Sequence, residues 1–333
     1  MLLMLFCNVL ILMFSNTWYV SWIALELSTF FFIPFVKGNE QNESIFFSFS
    51  MWKYFIVQSI SSACFFLSFL LDSSGFLVSL GYENLSDFTF FLASMSILVK
   101  LGMVPFHSWM LEITENMNWK SFLILNTVQK IGPLFLLWNL FYSCNLSFVF
   151  INLAILSSIS SILALFDYSI RHFLIYSSIM NSSWIVLSML YSKFSMFMFM
   201  FVYFISFSVL IYLIQIHNFP SYSSMYYSSS GMSFGWKICK ILMIMNISGT
   251  PPMIMFFLKV DVLEKGILIL NFVSTGVILF LSMNMVYMYL VFSIYFMLST
   301  KEMKNYKMKM NNLNYFVIFW MIFSFFGGFL IYI

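Results

Sequence analysis

The 333-residue chain is 62% hydrophobic, 22% aromatic and only 8% charged, with a formal net charge of +3 and a mean hydropathy of +0.95. Ordinary globular domains are about 45–50% apolar and about 25% charged, and a soluble fold of this length cannot hide so much apolar surface. The bias is even from end to end, so residues 1–333 read as a single polytopic membrane domain, which argues against a soluble catalytic module or a nucleic-acid-binding role.

A spanning helix needs roughly 20 apolar residues. That ruler places eleven, at about 1–15, 18–36, 51–71, 87–104, 119–141, 146–166, 171–190, 195–216, 234–258, 266–298 and 313–333. The first lacks the basic start and small-residue cleavage site of a signal peptide and reads as a spanning helix. Between the fourth and fifth spans, Trp109, Ile113 and Met117 recur at helical spacing opposite His107, Glu112 and Glu115, which predicts a short amphipathic interfacial helix. The segment from His217 to Gly235, rich in Ser and Tyr, reads as a surface loop.

With the amino terminus inside, Lys37, Lys53, Lys120, Arg171, Lys237, Lys240, Lys301, Lys304, Lys307 and Lys309 fall at the inner face, and Lys193 and Lys265 at the outer. The positive-inside rule then favours an inside amino terminus and, with an odd number of spans, an outside carboxyl terminus. Cys7, Cys64, Cys144 and Cys239 are scattered in apolar surroundings, fit neither a zinc site nor an iron–sulfur cluster, and read as inert buried thiols. No metal site and no phosphate or dinucleotide fingerprint is recognised. Abundant Phe and Met beside a single arginine, Arg171, match the codon bias of an AT-rich mitochondrial genome.

Three lysines find no place in a loop: Lys100, Lys130 and Lys259. A lysine at bilayer depth costs about 2.5–3.5 kcal/mol on insertion scales, so it is retained only where it faces water, a partner or a pathway, unless it snorkels from a helix end. Glu26 is the one carboxylate at that depth and the natural partner for one of them. Such a pair is either a switchable proton site, with the lysine charged while the acid is near and releasing its proton when the acid withdraws, or a static pair that fixes helix packing. Each lysine lies beside a helix breaker, in Lys100-Leu-Gly-Met-Val-Pro105, in Lys130-Ile-Gly-Pro133, and in Ser248-Gly-Thr-Pro-Pro252 ahead of Lys259. Broken helices at membrane depth leave carbonyls that need water or protein around them, and transporters build ion sites from them.

The first Gly-x-x-Pro break falls on the fourth span and the second on the ninth, an interval of five. A five-span repeat must reverse direction in the membrane. The predicted fold is therefore all-α, with two inverted five-helix units over about 1–145 and 146–298 and an appended carboxyl-terminal helix over about 313–333.

Several local stretches resemble one family. They are Trp22-Ile-Ala-Leu-Glu26, Lys53-Tyr-Phe, the run from Lys100 to Trp109, Asn118-Trp119, Gln129-Lys-Ile-Gly-Pro133, Tyr176-Ser-Ser178, and Gly249-Thr-Pro-Pro252 with Lys259. In this order they are similar to the antiporter-like membrane subunits of NADH:ubiquinone oxidoreductase, respiratory complex I, and within that family to the mitochondrial chain 2 group. The resemblance implies a subunit of a hetero-oligomer in the mitochondrial inner membrane, matrix-side at its amino terminus and intermembrane-space-side at its carboxyl terminus, flanked by other membrane-arm subunits and lipids. It implies proton translocation driven by electron transfer elsewhere, with no redox cofactor in this chain and NADH, FMN, iron–sulfur clusters and ubiquinone used by the rest of the assembly. It assigns Glu26 and Lys100 to an ion pair, Lys130 to a central proton carrier and Lys259 to a terminal lysine. His107, in its Pro-Phe-His context, is a candidate for the hydrated axis and equally fits an interfacial polar residue. The chain departs from the family at Asn181, where a histidine is usual, and near Met255 and Leu258, where Gly and Pro are usual. A free-standing cation/proton antiporter and a non-conducting structural subunit are the alternatives.

Overall fold

The computed structural model describes residues 1–15, 17–39, 45–73, 85–115, 117–143, 147–167, 169–215, 234–268, 272–297 and 317–324. Among them every regular element is a helix: α1 (Leu2–Phe14), α2 (Trp18–Asn39), α3 (Ile45–Ser73), α4 (Leu85–Leu101), α5 (Ser108–Glu115), α6 (Trp119–Asn126), α7 (Val128–Ser143), α8 (Ser147–Ser158), α9 (Ser160–Leu163), α10 (Ile170–Met189), α11 (Lys193–Gln215), α12 (Phe234–Ser248), α13 (Ile254–Leu268) and α14 (Phe272–Met297). Residues 317–324 are helical too. The remainder of the predicted carboxyl-terminal helix, most of the His217–Gly235 loop, and Cys144, Lys301, Lys304, Lys307 and Lys309 lie outside the described residues.

Five stretches among the described residues are long and apolar enough to cross a membrane: Trp18–Gly38, Phe49–Asp72, Trp119–Phe141, Lys193–Gln215 and Val273–Ile294. Leu2–Phe14, Phe88–Leu101 and Ala154–Leu163 are apolar but shorter. Together with the composition they make this an all-helical integral membrane protein.

The chain divides into two compact units, Met1–Leu153 and Ala154–Ile333. In the first, α2 packs between α1 and α3, α3 against α4 and α5, and α7 against α1 and α4. Gly132 lets α7 approach α1 closely, since a Cβ there would collide with the Leu12 side chain. In the second, α10 packs against α9 and α11, α11 against α12 and α13, and α14 against α9 and α12.

Helix α10 is enclosed over all but its first turn and is among the more polar helices. From Phe173 to Met189 every α10 residue is buried, yet α10 is absent from the long apolar spans. It faces protein rather than lipid, and its serines are silenced locally: Ser177, Ser178, Ser182, Ser183 and Ser188 each donate to the carbonyl three residues earlier at 2.6–2.7 Å. Helix α14 shows the opposite pattern. Ile278, Leu281, Met285, Tyr289 and Phe292 are buried on one stripe, while Val277, Phe280, Met283, Tyr287 and Ile294 form an exposed apolar stripe suited to lipid or a partner subunit.

Three sequence expectations change. The span expected at 234–258 stops at Ser248, and residues Ile254–Leu268 form a separate helix, because Gly249 turns left-handed (φ 75°) and two prolines follow. Helix α5 exists, but Trp109, Met110 and Ile113 are buried against protein, with α3 as a neighbour, so its apolar face is not a membrane-surface face. Of the described thiols, Cys7 is exposed and Cys64 and Cys239 are only half-buried.

Candidate functional site

Helix α4 ends where Gly102 adopts φ 65°. The Gly102 amide bonds back to the Val99 carbonyl at 3.1 Å and the Met103 amide to that of Leu98 at 3.2 Å, the paired bonds of a Schellman stop. Two neutral donors also reach carbonyls of the last turn: Trp109 Nε1 donates to Val99 O, as a second donor to that oxygen, at 3.2 Å and Gln58 Nε2 to Lys100 O at 3.3 Å. The stop sets the Lys100 side chain, 7% exposed, into the interior of the first unit.

Opposite it, α6 yields to α7 at Thr127, and the Lys130 amide bonds to the Thr127 carbonyl at 3.1 Å. Pro133 has no N–H to give to Gln129, which weakens the ladder beside Lys130. Lys130, 3% exposed, faces the same cavity as Lys100. Ser28, Tyr54, Gln58 and Gln129 supply the polar part of the wall. The space open to the centres of water-sized spheres is ≈ 20 Å³, which holds a water or two. Gln129 Nε2 is held by Ser28 O at 3.2 Å, tying α7 to α2 across this wall.

Glu26 does not close on Lys100 as a hydrogen-bonded ion pair. Its carboxylate accepts from the Ser62 hydroxyl on α3, and the buried Lys100 ammonium donates to no protein acceptor. The two groups remain within electrostatic reach of each other. A buried ammonium beside a cavity with room for water is a group whose charge depends on solvent entry.

Lys259 lies in the second unit. Its Nζ donates to Ser248 O at 2.7 Å, on the broken end of α12, and stands 5.8 Å from the centre of the Trp184 ring. The backbone of this break repeats that of the first: the Gly249 amide bonds to Asn246 O at 3.0 Å and the Thr250 amide to Met245 O at 3.3 Å. His107 is half-exposed at the start of α5 and does not line the Lys100–Lys130 cavity. Asn181, 3% exposed, donates to Ser177 O of its own helix at 3.0 Å.

Three residues escaped sequence reading. Tyr54 and Gln58 line the cavity from α3, and the signal for Gln58 was a lone amide in an apolar run. Lys240, assigned to the inner face, is instead 2% exposed within α12, so among the described residues three lysines are buried, Lys100, Lys130 and Lys240, with Lys259 part-buried. Its place near the polar start of that span made snorkelling the natural reading.

The sequence matches the NADH:quinone oxidoreductase/Mrp antiporter transmembrane family over residues 15–275. It is 31% identical to NADH-ubiquinone oxidoreductase chain 2 of Anopheles gambiae over 326 residues, covering 94% of this chain and 89% of that one. With the chain of the same name from Artemia franciscana the identity is 29% over 311 residues, 92% and 93% of the two chains. The fold is similar to a chain of respiratory complex I from Thermus thermophilus, with TM-score 0.79 at 15% identity over 98% of this chain and 77% of that one. It is also similar to a chain of an archaeal membrane-bound sulfane sulfur reductase, with TM-score 0.80 at 12% identity over 98% and 72%. A match over most of the length, carried by relatives of nearly equal size, places the chain: it belongs to the NADH:quinone oxidoreductase/Mrp antiporter transmembrane family.

Proposed function

We propose that this chain is a membrane-arm subunit of a proton-pumping NADH:ubiquinone oxidoreductase, and that it moves protons along Glu26, Lys100, Lys130 and Lys259. The observation that carries this reading is the sharing of one small cavity by two buried lysines, Lys100 and Lys130. An apolar protein retains such groups where their protonation is used. Lys100 and Lys130 exchange a proton through cavity water, while Glu26, held by Ser62, biases which of them is charged. Lys259, docked on the broken end of α12, takes the terminal position. His107 stands outside the cavity and serves at most the approach to it.

In this reading the chain has eleven spans, formed as an inverted pair of five-helix units and a final helix. Two features support the repeat: the same six kinds of helix pairing recur in each unit, and the two breaks share their hydrogen bonds. The redox cofactors and ubiquinone belong to other subunits, this chain binds none, and the assembly sits in the mitochondrial inner membrane with the amino terminus on the matrix side. Other membrane-arm subunits and lipids cover the exposed apolar stripes.

The test is Lys130→Met in the intact complex reconstituted into liposomes. The expected result is normal assembly with proton transfer stalled or uncoupled from electron transfer. Unchanged turnover and proton-to-electron ratio would leave only a structural subunit. Blue-native separation with in-gel NADH dehydrogenase staining discriminates further, since recovery only in small, unstained bands fits a free-standing antiporter.

A further inference from the structure

The second unit holds a lysine for which the path above has no use. Lys240 lies on α12 with Met243, Ile244 and Ile247 at helical spacing, and all four are buried, so it sits on the protein-facing side of the helix. It lies eight residues before Ser248, about 12 Å along the axis at the usual helical rise. Ser248 is where Lys259 docks. One half-helix thus has a buried lysine within it and a second lysine bound at its end.

Between them lies Asn246, fully buried, with neither its amide nitrogen nor its amide oxygen bonded to any protein group. An amide with both ends unsatisfied in a membrane interior is costly, and the usual remedy is ordered water with several polar partners.

We propose that Lys240 is a further proton-carrying residue, exchanging protons with Lys259 through water held at Asn246. This rests on the proton-path reading above. As the step proceeds, an N–H bond breaks at Lys259 Nζ, the proton passes along a chain of hydrogen-bonded waters, and an N–H bond forms at the Lys240 amine nitrogen, which gives up its own proton before the next transfer. The pair keeps its total charge.

The experiment compares Lys240→Met, Lys240→Gln and Lys240→His in the reconstituted complex, beside Lys130→Met. Coupled proton transfer falls about 100-fold or more in the Met and Gln variants, the lower end of the range for losing a positioned proton-transfer group, and His restores part of it. A purely structural lysine would leave the proton-to-electron ratio unchanged in all three, and that result overturns the proposal. If Lys130→Met stops pumping and Lys240→Met does not, this proposal falls alone; if neither does, the proposed function falls with it. On the unmodified complex, a map fine enough to show water has density bonded to the Asn246 amide on the side toward Lys240. A dry, apolar contact there overturns the proposal whether or not the variants assemble.

Discussion

The two helix breaks have one backbone and two tenants. Gly102 and Gly249 both stop a helix with φ of 65° and 75° and the same pair of backward amide bonds. What fills the side missing a Cβ differs. At Gly102 it is the Met110 thioether, 2.9 Å from where a Cβ would stand, with the Trp109 ring at 3.1 Å. At Gly249 it is the Lys259 ammonium at 2.8 Å, with Lys259 Cδ and Cε at 3.1 Å. Neutral donors from Trp109 and Gln58 satisfy the first helix end, and a cation satisfies the second. The backbone stop is therefore separable from the charge it serves. Only the second break turns the negative end of a helix dipole into a lysine site.

Substituting the glycines breaks this comparison most sharply. Gly249→Ala carries the left-handed backbone cost of about 1–3 kcal/mol and also expels the Lys259 ammonium from its cradle. Thermal unfolding of the purified complex should show the first effect and reconstituted pumping the second, as a large loss of coupled transfer. Gly102→Ala carries a similar backbone cost of about 1–2 kcal/mol, but the group displaced is a flexible thioether that can move aside. Its unfolding midpoint should drop less than that of Gly249→Ala, and an equal drop would mean the tenant does not matter. Trp109→Phe removes one neutral donor from the α4 end and should cost about 0.5–1.5 kcal/mol in the same scan. Lys53→Met removes the surface pair with Glu112, whose side chains are 41% and 51% exposed, and should change stability by less than about 1 kcal/mol, shrinking further with added salt.

The site was legible where burial is expensive and the sequence is uninterrupted. Lys100 and Lys130 stand far enough inside apolar runs that no loop can claim them, and Gly102 and Pro105 announce the break after Lys100, whereas Gly132 and Pro133 lie inside α7 and the interruption near Lys130 falls earlier, at Thr127. Lys240 was not legible, because a lysine near the end of a span looks the same whether it reaches for the headgroups or turns into protein. Nor was α13 legible as a separate helix, since residues 234–258 remain apolar straight through the break. Glu26 was recognised as a deep acid, but not that Ser62 would hold it while Lys100 stayed free of a direct bond. The partner of a side chain depends on which helices adjoin it.

The sequence by itself determined that this is a helical membrane protein, that glycine and proline interrupt it after Lys100 and after Ser248, and that Glu26, Lys100, Lys130 and Lys259 stand in apolar runs. Those conclusions follow from composition and local chain chemistry, which do not depend on neighbours. Only the tertiary structure decided that Lys100 and Lys130 share one cavity, that Lys259 caps the end of α12, that Lys240 points inward, and that the polar α10 is enclosed from Phe173 to Met189. Hydropathy measures a side chain's preference for leaving water and carries no record of whether lipid or protein receives it. That difference is set by packing between segments distant in the chain.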